Sequence, residues 1–390
     1  MGKLKLGMIL PPYRRPAELL FYLRHPSLFE VHVFCDTDTA KVIREYCLPV
    51  QIHEVLFKGH GFLSHRIGPA ANVSMGDLTL ELVDMELIVT VEVFSSISFQ
   101  ASKFATLRRI PHVVICWETL RSNPVFHFPP YSHYTKFVSR MATHIIAATE
   151  RARSTHIGVG VPEEHISVLY PGSDIVQTEN RKFEANRFRI LFVGNIARHK
   201  GVEDLMCAFS KFLKDDKDLD LLLVGAGPLS SKVCEFALKD RRIDYLGFVS
   251  EEEKQRVLAS SDVFVYPSRK KSTLFIPRWE EQFGHSVVEA MHHGLPIIAT
   301  QDGALPEVIG NSGEIVPERN PSELARGIKN LRHEDRWKYL SEASRKRARD
   351  KFDIIVQSRL LENTLMAVVV KYPNKSAKSI ERTESRNVIS

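Results

Sequence analysis

Cysteine is scarce and unpatterned. The 390 residues hold five, Cys35, Cys47, Cys116, Cys207 and Cys234, and none forms a C-x-x-C pair. This excludes a disulfide framework and reads as reduced, core-type cysteine in a cytosolic protein. Long hydrophobic runs are missing too. Apolar runs such as Leu221-Leu222-Leu223-Val224 have strand length, and none approaches the roughly 20 residues that span a bilayer. The start Met1-Gly2-Lys3-Leu4-Lys5-Leu6 has no signal-peptide architecture and lacks the Ser or Thr that myristoylation takes at the sixth position. Histidine is plentiful but lacks ligand spacing. His292-His293 would point to different helix faces, and His127 and His133 flank a Phe-Pro-Pro-Tyr-Ser loop. No metal is expected. No G-K-[ST] phosphate loop occurs, the glycine fingerprint of a dinucleotide site is incomplete, and no Asp-x-Asp ends a strand in the second half. No cofactor or nucleic-acid partner is expected.

What is present is an ordinary globular composition, 44% hydrophobic and 26% charged, with a net charge of +6 that favours anionic partners. Strand-length apolar runs alternate with helical stretches. In the first half they lie at 3–10, Val31–Cys35, Leu87–Val91, Val113–Cys116 and Ile145–Ala148, with a helix-like segment at Ala17–Arg24. In the second they lie at Phe188–Val193, Leu219–Val224, Val263–Tyr266 and Pro296–Thr300. Such alternation predicts an α/β protein of two Rossmann-like, doubly wound parallel-sheet domains facing a central cleft. The expected boundaries are 1–174 for the first domain, 175–187 for a polar linker and 188–350 for the second domain. A helix over 351–371 follows, then a basic, disordered tail over 372–390. Ligands of such sheets sit at the carboxyl ends of the strands, which singles out Arg14, Arg15, Glu92, Glu118 and the loop Arg121–Tyr134.

The chemistry is expected at Trp279-Glu280-Glu281-Gln282-Phe283-Gly284-His285-Ser286-Val287-Val288-Glu289-Ala290-Met291. Gly284, Val288, Met291 and Leu295 make one apolar helical face, which Gly294-Leu295-Pro296 terminates. Glu281 then stands before a helix N-terminus and Glu289 just over one turn inside it. Free N–H groups there suit an anion. A capped surface helix with two solvated glutamates would read the same way from this stretch alone. Upstream, Val193-Gly194-Asn195-Ile196-Ala197-Arg198-His199-Lys200-Gly201 joins a strand to a helix expected over Val202–Leu213. Its glycine and lysine make a diphosphate cradle.

E-x-F-G-x-x-x-x-E-A-M resembles the signature of family 4 retaining glycosyltransferases of the GT-B fold. Gly194–Gly201 is similar to that family's G-R-x-x-x-x-K-G element, with Asn195 in place of the Arg and Arg198 close enough to substitute. Gly225-Ala226-Gly227-Pro228, Gly247-Phe248-Val249 and Asp302-Gly303-Ala304-Leu305-Pro306-Glu307 resemble further family segments in the same order. The first half matches only in outline. Pro11-Pro12 stands where the family has a glycine pair, and Trp117 where a His is common.

The resemblance implies a metal-independent hexosyltransferase moving a sugar from a nucleotide-diphosphate sugar to an acceptor hydroxyl, with retention. It implies Glu281 and Lys200 as catalytic residues. Gly194, Asn195, Arg198, Lys200, Gly227, Phe248, Val249, Phe283, Gly284, His285, Ser286 and Glu289 would bind the donor, and Arg14, Arg15 and Glu118 would face the acceptor. The terminal helix would pack back on the first domain. The basic stretches Lys103–Arg109 and Lys136–Arg140 suit either a membrane surface or an ordinary helix face. The expectation carried forward is a cytoplasmic enzyme, peripheral at the inner membrane face, with an anionic or lipid-linked acceptor. Two other readings stay open. One is a sugar-nucleotide epimerase or a glycoside phosphorylase on this architecture, of which the epimerase would release free product sugar nucleotide without an acceptor. A non-catalytic nucleotide-sugar-binding protein, to which Asn195 and Trp117 point, would bind donor without turnover.

Overall fold

The computed structural model describes residues 3–12, 26–59, 73–76, 78–174, 183, 187–273 and 276–373. The helix expected over Ala17–Arg24, Arg14 and Arg15, the linker apart from Phe183 and Arg187, and the tail beyond 373 lie outside them. Contacts divide the chain into two compact units, Met1–Gly172 with the segment from Ile354 onward, and Ser173–Asp353.

The first unit holds β1 (Leu4–Ile9), β2 (Phe29–Cys35), β3 (Gln51–Glu54), β4 (Phe57–Gly59), β5 (Val73–Met75), β6 (Leu87–Val91), β7 (His112–Cys116), β8 (His144–Ala147) and β9 (Ile166–Val168). Seven of them form a parallel sheet in the order β3-β2-β1-β6-β7-β8-β9, and β4 pairs antiparallel with β5. Helices on both faces leave a central strand no wet side, so it must be apolar throughout; β7 is buried at all five positions. Its one polar residue, His112, is satisfied internally. Nε2 lies 2.8 Å from Thr90 Oγ1 and Nδ1 2.9 Å from Ser102 Oγ, which ties helix Ser96–Arg108 to the sheet. Burial pushes the His112 pKa down to about 3, so the ring is neutral. Helix Ile354–Lys371 belongs to this unit. Its Glu362 carboxylate accepts from the Ser27 N–H at 2.5 Å, the Leu28 N–H at 2.8 Å and the Ser27 hydroxyl at 2.6 Å.

The second unit holds β10 (Phe188–Val193), β11 (Leu219–Val224), β12 (Ile243–Gly247), β13 (Val263–Tyr266), β14 (Lys271–Thr273), β15 (Ile276–Trp279), β16 (Ile297–Thr300) and β17 (Gly313–Val316). Its parallel sheet runs β12-β11-β10-β13-β16-β17. Chain order reverses between β10 and β13, so the loops leaving those two strands part and open a crevice at their carboxyl ends. β14 and β15 form an antiparallel hairpin inside the 268–281 connection.

Several details differ from the sequence reading. The helix expected over Val202–Leu213 is α-helical only to Cys207 and continues as a π-helix, Ala208–Phe212. Cys35 and Cys116 are buried, but Cys47 and Cys234 are exposed. Cys47 sits at φ 48° after a helix end, and Cys234 lies on the outer side of helix Ser230–Ala237. Helical and turn geometry, not hydrophobicity, positions both.

Candidate active site

The crevice of the second unit is built from close-packed loops. After β10, the Ile196 N–H donates to the Ala226 carbonyl at 3.1 Å, while Gly194 donates to Val224 at 3.0 Å. Gly225 has φ +127°, and a Cβ there would fall 1.9 Å from the Gly194 carbonyl oxygen; one at Gly227 would fall 2.3 Å from Asn195 Oδ1. Both glycines are therefore required by the contact between the β10 and β11 loops.

Lys200 ends a single 3₁₀ turn, Arg198–Lys200, and points into this crevice. Its Nζ lies 2.5 Å from Glu281 Oε2 and 2.9 Å from the Tyr266 hydroxyl. The Tyr266 hydroxyl in turn lies 3.1 Å from the same carboxylate oxygen. The ammonium also sits over the Trp279 ring, 4.7 Å from its centroid, and His199 packs edge-on against that ring at 4.5 Å. Burial alone would lower the Lys200 pKa, but Tyr266 and the Glu281 carboxylate outweigh it and drive it up. Lys200 is a permanent cation. Burial and Glu281 raise the Tyr266 pKa, so its hydroxyl keeps its proton.

Behind the pair, Ser268 Oγ is 2.8 Å from Asp302 Oδ2, 3.2 Å from the His199 carbonyl and 3.5 Å from Glu281. Asp302 is fully buried and its Oδ1 has no partner. Burial raises its pKa to about 7 against the opposing Ser268 hydrogen bond, with Glu318, Glu281 and Glu280 adding to the rise. The loop fits tightly here: the Ala304 N–H donates to the Glu281 carbonyl at 2.8 Å, and a Cβ on Gly303 would lie 2.0 Å from that oxygen.

Helix His285–His292 starts at Gly284, φ +86°, with no side chain capping it. The Val287 N–H closes the first turn on the Gly284 carbonyl at 2.9 Å, and the positive end of the helix dipole lies at this start. Glu289, in its second turn, bonds Lys254 Nζ through Oε1 at 3.0 Å, and Lys254 also reaches Glu251 at 2.8 Å. Burial raises the Glu289 pKa and Lys254 opposes the rise.

Other expected site residues are placed as follows. Phe283 is buried against His285 and Phe352. Phe248 is 87% exposed on the loop after β12, and Val249 follows it half-buried. Arg198 is exposed and pairs with Glu203 at 3.4 Å. In the first unit, the Glu118 carboxylate accepts from the Leu120 N–H at 2.7 Å and from Asn123 Nδ2 at 2.6 Å, so it caps its own loop. Tyr266, Ser268, Lys254 and Asp302 belong to the site and were not assigned to it from the sequence. Tyr266 carried a usable signal: it is the polar end of an apolar strand beside the switch point.

Residues 176–350 match the profile of the family described as glycosyl transferases group 1. This segment is a group 1 glycosyltransferase domain. Over 268 residues the chain is 24% identical to an uncharacterized glycosyltransferase of Methanocaldococcus jannaschii, covering 63% of this chain and 66% of that one. It is 31% identical over 192 residues to the D-inositol 3-phosphate glycosyltransferase of Corynebacterium kroppenstedtii, 44% of this chain and 41% of that one. The chain thus aligns with between two fifths and two thirds of these relatives. Among solved structures, Anabaena HepE in complex with UDP superposes with TM-score 0.72 at 20% identity, covering 93% of this chain and all of that one. That likeness establishes the fold as GT-B type, and the match to residues 176–350 places the Lys200–Glu281 pair inside the group 1 domain.

Proposed function

We propose that the chain is a retaining glycosyltransferase that uses a nucleotide-diphosphate sugar and needs no divalent cation at the diphosphate. The observation that carries this is Lys200, held cationic by Glu281 and Tyr266 where the β10 and β13 loops part. In this reading the donor diphosphate lies between Lys200 and the uncapped start of helix His285–His292. Charge that grows on the departing diphosphate meets a fixed ammonium and fixed N–H dipoles in a shielded crevice, the setting in which preorganised electrostatics lowers a barrier most. Glu281 orients the donor sugar through its free valences while aiming Lys200, and Glu289, held by Lys254, accepts from the ribose hydroxyls. The relatives' names and the UDP bound to HepE support a nucleotide-sugar donor.

The first unit takes the acceptor in this proposal. Its helix Ser96–Arg108 presents Leu107, 83% exposed, beside basic residues, which suits an anionic or lipid-linked acceptor and contact with a membrane surface. Among the described residues no helix is long and apolar enough to cross a membrane.

A thermal-shift screen over UDP-, GDP-, ADP- and dTDP-sugars tests the donor. A ligand bound only by the folded state raises Tm by mass action. The matching sugar nucleotide should then support transfer at a rate that added Mg2+ or Mn2+ leaves unchanged. No shift with any sugar nucleotide overturns the assignment. Severalfold stimulation by the cation overturns the metal-independent mechanism.

A further inference from the structure

Three polar groups meet in the interior of the first unit without satisfying one another. Glu92 follows β6, Cys116 ends β7, and His156 lies in the last turn of helix Glu150–Gly158. One ligand atom from each, a carboxylate oxygen, Sγ and a ring nitrogen, lies within 4.8 Å of the other two. His156 and Cys116 are fully buried. Neither ring nitrogen of His156 has a hydrogen-bond partner, and Glu92 Oε2 has none either. Glu92 Oε1, by contrast, is held by the N–H groups of Trp117 at 2.8 Å and Glu118 at 3.1 Å, which fixes the carboxylate in place. The Glu92 backbone is left-handed, φ 62°, an arrangement that costs a non-glycine residue about 1 kcal/mol or more and collects at functional positions.

We infer that Glu92, Cys116 and His156 form a binding site for a borderline-soft divalent cation of the zinc class. One thiolate, one imidazole and one carboxylate suit zinc, whereas calcium and magnesium take oxygen ligands alone. Tetrahedral ligands at about 2.0–2.3 Å from an ion stand roughly 3.5 Å apart, so from separations of at most 4.8 Å the three side chains draw together by no more than about 1.3 Å. Binding replaces the thiol proton of Cys116 by a sulfur–metal bond; that proton leaves to solvent, as does the one held by Glu92, whose pKa burial raises to about 8. Without the ion, burial and the Glu92 carboxylate hold that thiol well above its ordinary range, and burial alone lowers the His156 pKa to about 4, leaving the ring neutral and able to ligate. A bridging water fits less well. Sulfur is a weak hydrogen-bond partner, so a water would satisfy the carboxylate and the ring and leave Cys116 out. The ion would cross-link the ends of two central strands and a helix. Three protein ligands also leave a fourth position for a water or an exogenous oxygen ligand. The site is in the first unit and does not depend on the donor reading.

The test uses the full chain with Cys47→Ser and Cys234→Ser, which removes the two exposed thiols. Metal-depleted protein titrated with Co2+ should develop a thiolate-to-cobalt charge-transfer band that saturates at one equivalent and is displaced by Zn2+. Cys116→Ser should abolish the band and His156→Gln should weaken binding at least tenfold. If those buried variants do not fold, Glu92→Gln supplies the same comparison, with at least tenfold weaker cobalt affinity expected. A silent cobalt titration of the folded parent overturns the site. So does a band that persists unchanged in folded Cys116→Ser or Glu92→Gln.

Discussion

Replacing Lys200 by Met keeps a side chain of similar length beneath Trp279 and removes one charge. Two separate losses follow. In transfer, a hydrogen bond to a charged group contributes about 1.5–3 kcal/mol, and each 1.4 kcal/mol is a factor of ten. The kcat/KM should therefore fall roughly 10- to 150-fold. Most of the fall should be in kcat, because the contact strengthens as the diphosphate takes up charge. In stability, Glu281 is only 7% exposed and would lose its cation. Breaking a buried pair costs about 3–5 kcal/mol, and the low end applies because the Tyr266 hydroxyl, 3.1 Å away, still donates to the carboxylate. Lys200→Met should thus lower Tm, and adding Glu281→Gln should restore Tm without restoring transfer. Thermal melts and initial-rate kinetics on wild type, both single variants and the double variant read this directly. Wild-type kcat/KM in folded Lys200→Met would remove the lysine from the chemistry. Recovery of transfer in the double variant would show that Lys200 serves only to neutralise Glu281.

Lys254→Met leaves Glu289 without its cation. If Glu289 grips the ribose, donor KM should rise severalfold with kcat nearly unchanged, whereas an equal fall in kcat would place Glu289 at the reacting bond. Asp302 gives a pH signature: its folded pKa is about 7 against an ordinary 3.8. A raised acid binds its proton more tightly in the folded state, so its contribution is complete below about pH 4 and is lost as pH rises through 7. Asp302→Asn should flatten the decline of Tm over that window, and an unchanged slope would show that Asp302 is ionised. Proton NMR of freshly formed product should show the donor's anomeric configuration retained; an inverted product would exclude the front-face mechanism.

The central strands were legible because burial on both faces writes itself as an apolar run. Val113–Cys116 and Leu219–Val224 are examples. The strands that were missed include all four edges of the two parallel sheets: Gln51–Glu54, Ile166–Val168, Ile243–Gly247 and Gly313–Val316. An edge strand is paired on one side only and half-exposed, so polar residues such as Gln51, Asp244 and Glu314 interrupt its pattern. The hairpin at 271–279 carries no strand-length apolar run, yet it supplies Trp279 to the site. Within the site, the motif showed both carboxylates and the lysine but not which groups meet. Lys200 and Glu281 are 81 residues apart, and only the parallel order of β10 beside β13 brings them together.

That order also explains why the motif's two glutamates must be read with their partners. Each is neutralised by a lysine from another element, Glu281 by Lys200 after β10 and Glu289 by Lys254 on helix Glu251–Ala259. A buried carboxylate already bound to a cation offers a ligand hydrogen-bond acceptance rather than net charge, which suits sugar and ribose hydroxyls and not a metal ion. The two lysines differ in turn. Lys254 is shared between Glu289 and Glu251 and is saturated with carboxylates. Lys200 has one carboxylate, a neutral tyrosine hydroxyl and an aromatic face, so it alone of the two has charge left for an arriving diphosphate. In the proposed function it is the asymmetry between the lysines, not the symmetry of the glutamates, that would orient the donor: diphosphate toward β10, ribose toward helix Glu251–Ala259.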